Sequence, residues 1–339
     1  MTNTDDGHQP EWTQPGWLAE ASAWTTEMLA RHRITVSGPV EQPHLRPWST
    51  VLTVPTSEGL FYFKATTPTF GHEPALTQAL HRWRPDCTPE VLEIDAGRSW
   101  LLMRSSGVAV RTLLHGPQDL YHWKRVLPLY AELQLELANR RDELLAMGTP
   151  DRRLNALPER FEELLSDGKA LRVGLPDGLS AQEARRLRSL APAIAVRCEQ
   201  LAGAGIPESL HHDDFHDANV FYQHGRYILA DWAECAVAHP FFSLLIAPRA
   251  VAYRVNLPDD DPAITHLMDG YFEAWEPFAP RETLREIAFL AQPLGALCRA
   301  LTWHNVTSRM AAPERDEYDE AVPRWLRELL TLVDRQTAT

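Results

Sequence analysis

The pattern of apolar and polar positions changes character along the chain. From Trp17 to His32 apolar residues recur at helical spacing (Trp17, Leu18, Ala21, Trp24, Met28, Leu29), which predicts an amphipathic helix. β-Prone runs follow at Thr50–Val54 and Leu60–Ala65, joined by the turn sequence Pro55-Thr56-Ser57-Glu58-Gly59. Two more, Pro89–Ile94 and Ser99–Arg104, flank Asp95-Ala96-Gly97-Arg98. Glu73–Trp83 lies between the pairs with Leu76, Ala79, Leu80 and Trp83 on one helical stripe. These runs predict a sheet of at least four strands with one helix inserted. Helical spacing then dominates, in Leu120–Met147, Arg152–Asp167, Ala181–Ala202 and an apolar stretch opening at His239. Residues 1–16 are polar, with Pro10, Pro15 and Gly16, and read as a flexible tail. The expected class is α+β, with a β-rich part at 17–104 and a larger helical part at 105–339.

One β-signal interrupts the helical part. Val220-Phe221-Tyr222 and Tyr227-Ile228-Leu229 flank the turn pair His224-Gly225, which predicts a hairpin. Asn219 precedes its first strand and Asp231 follows its second. Paired strands lie about 4.8 Å apart, so the hairpin is expected to bring Asn219 and Asp231 together at its open end. Asp214, five residues before Asn219, belongs to the loop entering that end. A carboxamide and two carboxylates on one rim suit a hard cation such as Mg²⁺, with one carboxylate left as a base.

Composition alters this picture little. The chain has 339 residues, 44% hydrophobic and 23% charged, as expected of a globular enzyme with a sizeable core. Its net charge of −13 argues against a nucleic-acid binder and agrees with a cationic substrate, although solubility alone accounts for such a charge. Cys87, Cys198, Cys235 and Cys298 are widely spaced and suggest reduced thiols, hence a cytoplasmic protein. No apolar run reaches the ~18–20 residues of a membrane span, and the acidic start is unlike a secretory signal. The expected form is a monomer or homodimer. Lys64, Lys124 and Lys169 are the only lysines. Lys64 therefore stands out at the end of the Leu60–Ala65 run, sharing a face with Tyr62 while Phe61 and Phe63 take the other.

The spacing His212-x-Asp214-x-x-x-x-Asn219, followed by Asp231 after a strand, matches the catalytic loop of kinase-type phosphoryl transfer. Leu210-His211-His212-Asp213-Asp214-Phe215-His216-Asp217-Ala218-Asn219-Val220 resembles the signature of the aminoglycoside phosphotransferase family, which includes choline-kinase-like enzymes. That family usually reads His-Gly-Asp-Leu-His-Pro-Gly-Asn-Val. Asp213 stands for the first glycine, Asp217 for the proline and Ala218 for the second glycine. His239 stands where the family often has aspartate before Pro240.

The resemblance implies a two-lobed protein-kinase-like fold and transfer of the γ-phosphoryl group of ATP or GTP, with Mg²⁺, to a hydroxyl of a small acceptor. Asp214 would orient the hydroxyl and take its proton, and His212 would brace the loop. Asn219 and Asp231 would hold the metal. Lys64 would hold donor phosphates, fixed by Glu73, whose plainer reading is an acid in the first turn of a helix. The chain leaving the sheet at Met103 and Arg104 would meet the base. The loop Leu45-Arg46-Pro47-Trp48-Ser49-Thr50 lacks the glycines that let backbone N–H groups approach phosphates, so Ser49 or Thr50 would donate hydroxyls instead. Arg46 reads equally as a surface residue.

The region 256–339 would form the acceptor side. Asp259, Asp260, Asp261, Glu273 and Glu276 would meet a cationic acceptor or simply cap and solvate helices. Tyr271, Phe272, Trp275, Trp303 and His304 would line a pocket or pack in the core. Two alternatives fit the same residues: a kinase-like protein that binds nucleotide or ligand without transfer, and a metal-dependent hydrolase using the His/Asp run.

Overall fold

The computed structural model describes residues 10–311 and 315–338. The chain clusters into two compact units. Among the described residues the first holds 10–107, 222–233, 309–311 and 315–316, and the second holds 108–221, 234–308 and 317–338. Residues 222–233, expected with the helical part, cluster with the sheet.

The first unit is built on five antiparallel strands in the order β1-β2-β3-β5-β4: β1 Glu41–Leu45, β2 Ser49–Thr56, β3 Gly59–Thr66, β4 Val91–Asp95 and β5 Trp100–Arg104. β1 escaped the sequence reading because Glu-Gln-Pro-His-Leu has no apolar alternation, and proline is tolerated there because β1 is an edge. Leu52, Val54, Phe61, Phe63, Trp100 and Leu102 point to one face and pack under helix α1 (Trp17–Arg31) through Trp17, Ala21, Met28 and Leu29. The expectation of a flexible tail up to residue 16 is corrected for 10–16. Glu11–Thr13 form a short 3₁₀ turn and Trp12 is buried in this core, because its indole completes the aromatic layer beside Trp17. The rest of that expectation lies outside the described residues. Helix α2 (Glu73–Trp83) sits between β3 and β4 in sequence.

In the second unit, α3 (Trp123–Leu137) packs on α9 (Pro262–Glu273). The helix expected over Leu120–Met147 is broken at Arg140 (φ −114, ψ 17), so α4 (Arg141–Ala146) is separate. α5 (Leu157–Ser166) starts later than expected, at the proline-initiated turn Leu157-Pro158. A short α6 (Gly168–Leu171) follows, then α7 (Ala181–Gly203), which opens on a Ser180/Glu183 capping box. α8 (Ala247–Arg254), α10 (Arg281–Thr307) and α11 (Ala321–Thr337) complete the helices used below. The strands after β5 are β6 (Val108–Ala109), β7 (Ser209–His211), β8 (Val220–Gln223), β9 (Arg226–Leu229) and β10 (Ala236–Ala238). β7 and β10 pair antiparallel, His211 opposite Ala236. Tyr271, Phe272 and Trp275 are buried around Phe241, so of their two readings the structure takes the core one. Among the described residues no helix is long and apolar enough to cross a membrane.

Candidate active site

In the first unit the register places Lys64 opposite Val51 and Leu101, on the face away from α1. Val51, Thr53, Tyr62 and Met103 share that face and are all half-buried, leaving a partly apolar platform beside a buried cation. Lys64 Nζ donates to Glu73 Oε1 at 2.6 Å and to Asp231 Oδ1 at 2.7 Å. Glu73, 2% exposed at the start of α2, also takes a backbone hydrogen bond from Trp232. Asp231 follows β9 and is held in the left-handed region at φ +64, an unfavoured conformation for a residue with a side chain. The end of β9 is tied down by Leu229 N–H donating to the Cys87 carbonyl (2.8 Å). Burial disfavours charge on Lys64, but the two carboxylates outweigh it and hold the ammonium protonated.

Ser49 lies on the same face as Lys64, its hydroxyl 3.5 Å from His44 Nε2. Arg104 does not join this group. It pairs with Phe61 across the strands, on the core-side face, where its guanidinium covers the Phe61 ring and bonds Glu58 and Glu90. Its backbone N–H is taken by the Glu90 carbonyl. Strand alternation thus turns the Arg104 side chain away from Lys64, so any part it has at the nucleotide base is through its backbone, as expected for the exiting chain.

In the second unit the loop after β7 is fixed from beneath by a buried relay. Tyr130 OH accepts from His212 N–H (2.9 Å) and from Gln134 Nε2 (3.0 Å), so its own proton goes to Ser243 Oγ (2.6 Å). Ser243 then donates to His211 Nδ1 (2.7 Å), and His211 Nε2–H donates to Asp213 Oδ1 (2.9 Å). This order requires neutral His211, as does burial, which lowers its pKa. Ser243, His211 and Asp213 imitate a hydrolytic triad, but all are buried, leaving no path for an acyl substrate. With both His211 nitrogens and Asp213 engaged inside the protein, the run is not the ligand cluster the hydrolase alternative needs.

Above the relay, Asp214 Oδ1 lies 3.3 Å from Arg299 Nη2, and Asp214 Oδ2 lies 3.1 Å from His216 Nε2. Asn219 closes the loop, its Nδ2 donating to the Asp214 carbonyl at 3.0 Å and approaching its carboxylate at 3.4 Å. The Asn219 carboxamide oxygen has no hydrogen-bond partner among the described residues. That oxygen and the half-exposed Asp231 carboxylate are hard donors of the type Mg²⁺ takes. Burial works to raise the Asp214 pKa. Arg299 and the hydrogen bond from His216 outweigh it and hold the carboxyl well below the usual range. His212 enters through its backbone, and its ring lies 5.6 Å from Phe215.

The departures from the family pattern each have a partner. Asp213, 1% exposed, accepts from Thr302 Oγ1 (2.5 Å) and lies 3.4 Å from Arg152 Nη1 and 3.6 Å from Arg299 Nη1. Asp217, 2% exposed, binds Arg254 Nε (2.5 Å) and Arg111 (3.3 Å). His239 Nδ1 accepts the N–H of Phe241 and so caps the 3₁₀ turn Pro240–Leu245. Of the acids expected at the acceptor side, Asp261 caps α9 and Glu276 pairs with Arg281. Trp303 stacks on Tyr318, and His304 bonds Asp167.

Compared by sequence, the chain matches no family model and no curated protein. Compared by structure, it is similar to a choline kinase from Cryptosporidium parvum Iowa II, with a TM-score of 0.58 over 91% of both chains at 9% identity. It is also similar to a macrolide 2′-phosphotransferase type I (TM-score 0.54, 12% identity, 90% of this chain and 96% of that one). A third is an amicoumacin kinase in complex with AMP-PNP and Ca²⁺ (TM-score 0.50, 12% identity, 93% and 96%). The fold is kinase-like. At such identities the likeness is one of fold, and within that fold Lys64, Glu73 and Asp231 meet in one unit while Asp214 and Asn219 meet in the other.

Sequence reasoning missed Arg152, Glu234, Arg299 and Thr302. Arg299 binds Glu234, the Asp213 carbonyl and both Asp213 and Asp214 carboxylates. A signal was present: Gly295-Ala296-Leu297-Cys298-Arg299-Ala300-Leu301-Thr302 is an apolar helical run with one charge in it, and a charge so placed needs a buried partner.

Proposed function

We propose that the protein is a small-molecule kinase that transfers the γ-phosphoryl group of ATP or GTP, with Mg²⁺, to a hydroxyl of a small acceptor. The observation that carries the reading is the cluster of Lys64 with Glu73 and Asp231, a buried ammonium between a helix carboxylate and a post-strand carboxylate on a partly apolar sheet face. The sheet unit would hold the donor nucleotide, its base against Val51, Tyr62 and Met103 and its phosphates toward Lys64. The kinase-like neighbours support the assignment, one of them having been solved with a non-hydrolysable ATP analogue.

Asp214 would orient the acceptor hydroxyl and take its proton as the oxygen attacks the γ-phosphorus and the bond to the bridging oxygen breaks. Held ionised by Arg299 and His216, it is a weak base, so it contributes orientation more than proton affinity. That suits a loose phosphoryl transition state, in which the nucleophile needs little activation. A metal held by Asn219 and Asp231 would neutralise phosphate charge. Glu234 and the half-exposed rim of Asp214 favour an acceptor with a positive group.

The test is donor consumption with ATP and GTP plus Mg²⁺ across hydroxylated amino alcohols, aminoglycosides, macrolides and sugars. Asp214→Asn is expected to lower acceptor-dependent turnover by about 10²–10⁴-fold while nucleotide affinity stays within about twofold. Unchanged turnover in that variant would remove Asp214 from the mechanism. Nucleotide binding without turnover in any acceptor class would favour the binding-protein alternative.

A further inference from the structure

The tip joining β1 to β2 reads Arg46-Pro47-Trp48 and contains no glycine. Its backbone is committed to holding its own shape. Arg46 N–H donates to the Ser49 carbonyl (2.9 Å), and Pro47 has no N–H to offer. The Trp48 carbonyl accepts from Thr67 N–H (3.0 Å). The Arg46 carbonyl accepts from the indole of Trp12 (3.0 Å), which is itself anchored in the core. Two of the tip's N–H positions, at Arg46 and Pro47, are thus withdrawn from the nest of backbone N–H groups by which such a tip usually meets an anion.

Side chains stand in its place. The register runs His44, Val51, Lys64 across β1, β2 and β3, so His44 occupies the same row and face as Lys64. Ser49, two residues before Val51, shares that face, with its hydroxyl next to the His44 ring. Lys64, Asp231 and Arg46 all act electrostatically on that ring. Arg46 is exposed, and among the described residues its guanidinium has no hydrogen bond or ion pair. The His44 ring thus feels both the exposed guanidinium of the tip and the buried ammonium of Lys64, and with Ser49 this gives two cations and two neutral donors on one side of the sheet.

We propose that Arg46, His44 and Ser49 form a side-chain cradle for the donor polyphosphate, replacing the backbone N–H groups of a glycine-rich loop. The inference rests on the nucleotide reading above. Arg46 meets the outer phosphates with its planar fork, which suits bidentate contact with phosphate oxygens. Ser49 Oγ and the neutral His44 ring donate to the inner ones. Trp12 keeps the tip in place, so the cradle is preorganised where a glycine loop has to order on binding.

Isothermal titration of the full chain with AMP, ADP and AMP-PNP, and with the guanosine counterparts, each plus Mg²⁺ at low and high salt, tests this without an acceptor. Wild type is expected to tighten with each added phosphate and to weaken with salt. Arg46→Gln is expected to bind AMP within about twofold of wild type, to lose about tenfold or more toward AMP-PNP, and to show a flatter salt response. His44→Ala gives the same pattern with a smaller loss. Arg46→Gln binding all three nucleotides as wild type does would overturn the cradle and leave the nucleotide reading standing. An equal loss on AMP and AMP-PNP would overturn it as well, since that pattern reports a loosened sheet. Wild type binding no adenine or guanine nucleotide would bring down both readings.

Discussion

Arg299 is the residue on which the second-unit site turns. One guanidinium serves Asp213, Asp214 and Glu234, and its Nε, buried in α10, has no hydrogen-bond partner among the described residues. Removing the charge takes a shared cation from three acids, leaving His216 beside Asp214 and Arg152 beside Asp213, and breaking a buried pair in this way costs about 3–5 kcal/mol. Arg299→Gln is therefore expected to lower the thermal midpoint markedly. Arg299→Lys keeps the charge without the fork, so it is expected to fold near wild type, retain nucleotide affinity and lose turnover. Calorimetry on both variants with donor turnover separates the roles, and full turnover in Arg299→Lys would show that Asp214 needs only the charge. Spacing singled out Asp214, Asn219 and Asp231, which lie within 18 residues of one another, and the family resemblance singled out Lys64 and Glu73, nine residues apart. Arg299, Thr302 and Arg152 were not legible, because they reach Asp213 across 61 to 89 residues of sequence.

At the scale of elements, Gly107 shows why the exit from the sheet has its sequence. It sits at φ +92, and a Cβ there would lie 2.3 Å from the Tyr222 carbonyl and 2.7 Å from Gln223 Cβ. Backbone meets backbone, so no rotamer change relieves the overlap. Gly107→Ala is expected to cost about 1–3 kcal/mol, from the left-handed backbone and the clash together, and to appear as a lower denaturant midpoint. A midpoint unchanged within error would mean that 222–223 shifts freely. The same element scale separates what was readable from what was not. β2 and β3 alternate because one face packs under α1, so the facing of Phe61 and Phe63 against Tyr62 and Lys64 followed from sequence. β1 is a polar edge strand with a bulge between Glu41 and His44, and its pairing is set by partners such as Gln42 to Thr50 Oγ1 (2.8 Å), which periodicity does not report.

At the scale of the whole chain, buried ionisable groups in the second unit set the response to acid. His239 is fully buried, and its Nε2 has no hydrogen-bond partner among the described residues. Burial, with His211 beside it, lowers its pKa to about 3. His211 is lowered too, by burial against its bond to Asp213. Both therefore take up protons more readily when unfolded. Their stabilisation is complete above a pH of about 6.5 and declines below it, that of His239 being lost as pH falls toward 3. Asp213 adds a second, lower window. Burial raises its pKa, but Arg299, His211 and Arg152 bring it down to about 2. Its contribution is complete above a pH of about 4 and is lost as pH falls through 2. The thermal midpoint is thus expected to be level near neutrality, to decline below about 6.5 and to steepen below about 4. His239→Asn separates the terms, because its carboxamide oxygen can still accept the Phe241 N–H while nothing there titrates. Melting from pH 8 to 4.5 should give a shallower decline in that variant than in wild type, with similar midpoints at pH 8. Parallel declines would assign the acid response to His211 and the exposed carboxylates, leaving His239 as a cap alone.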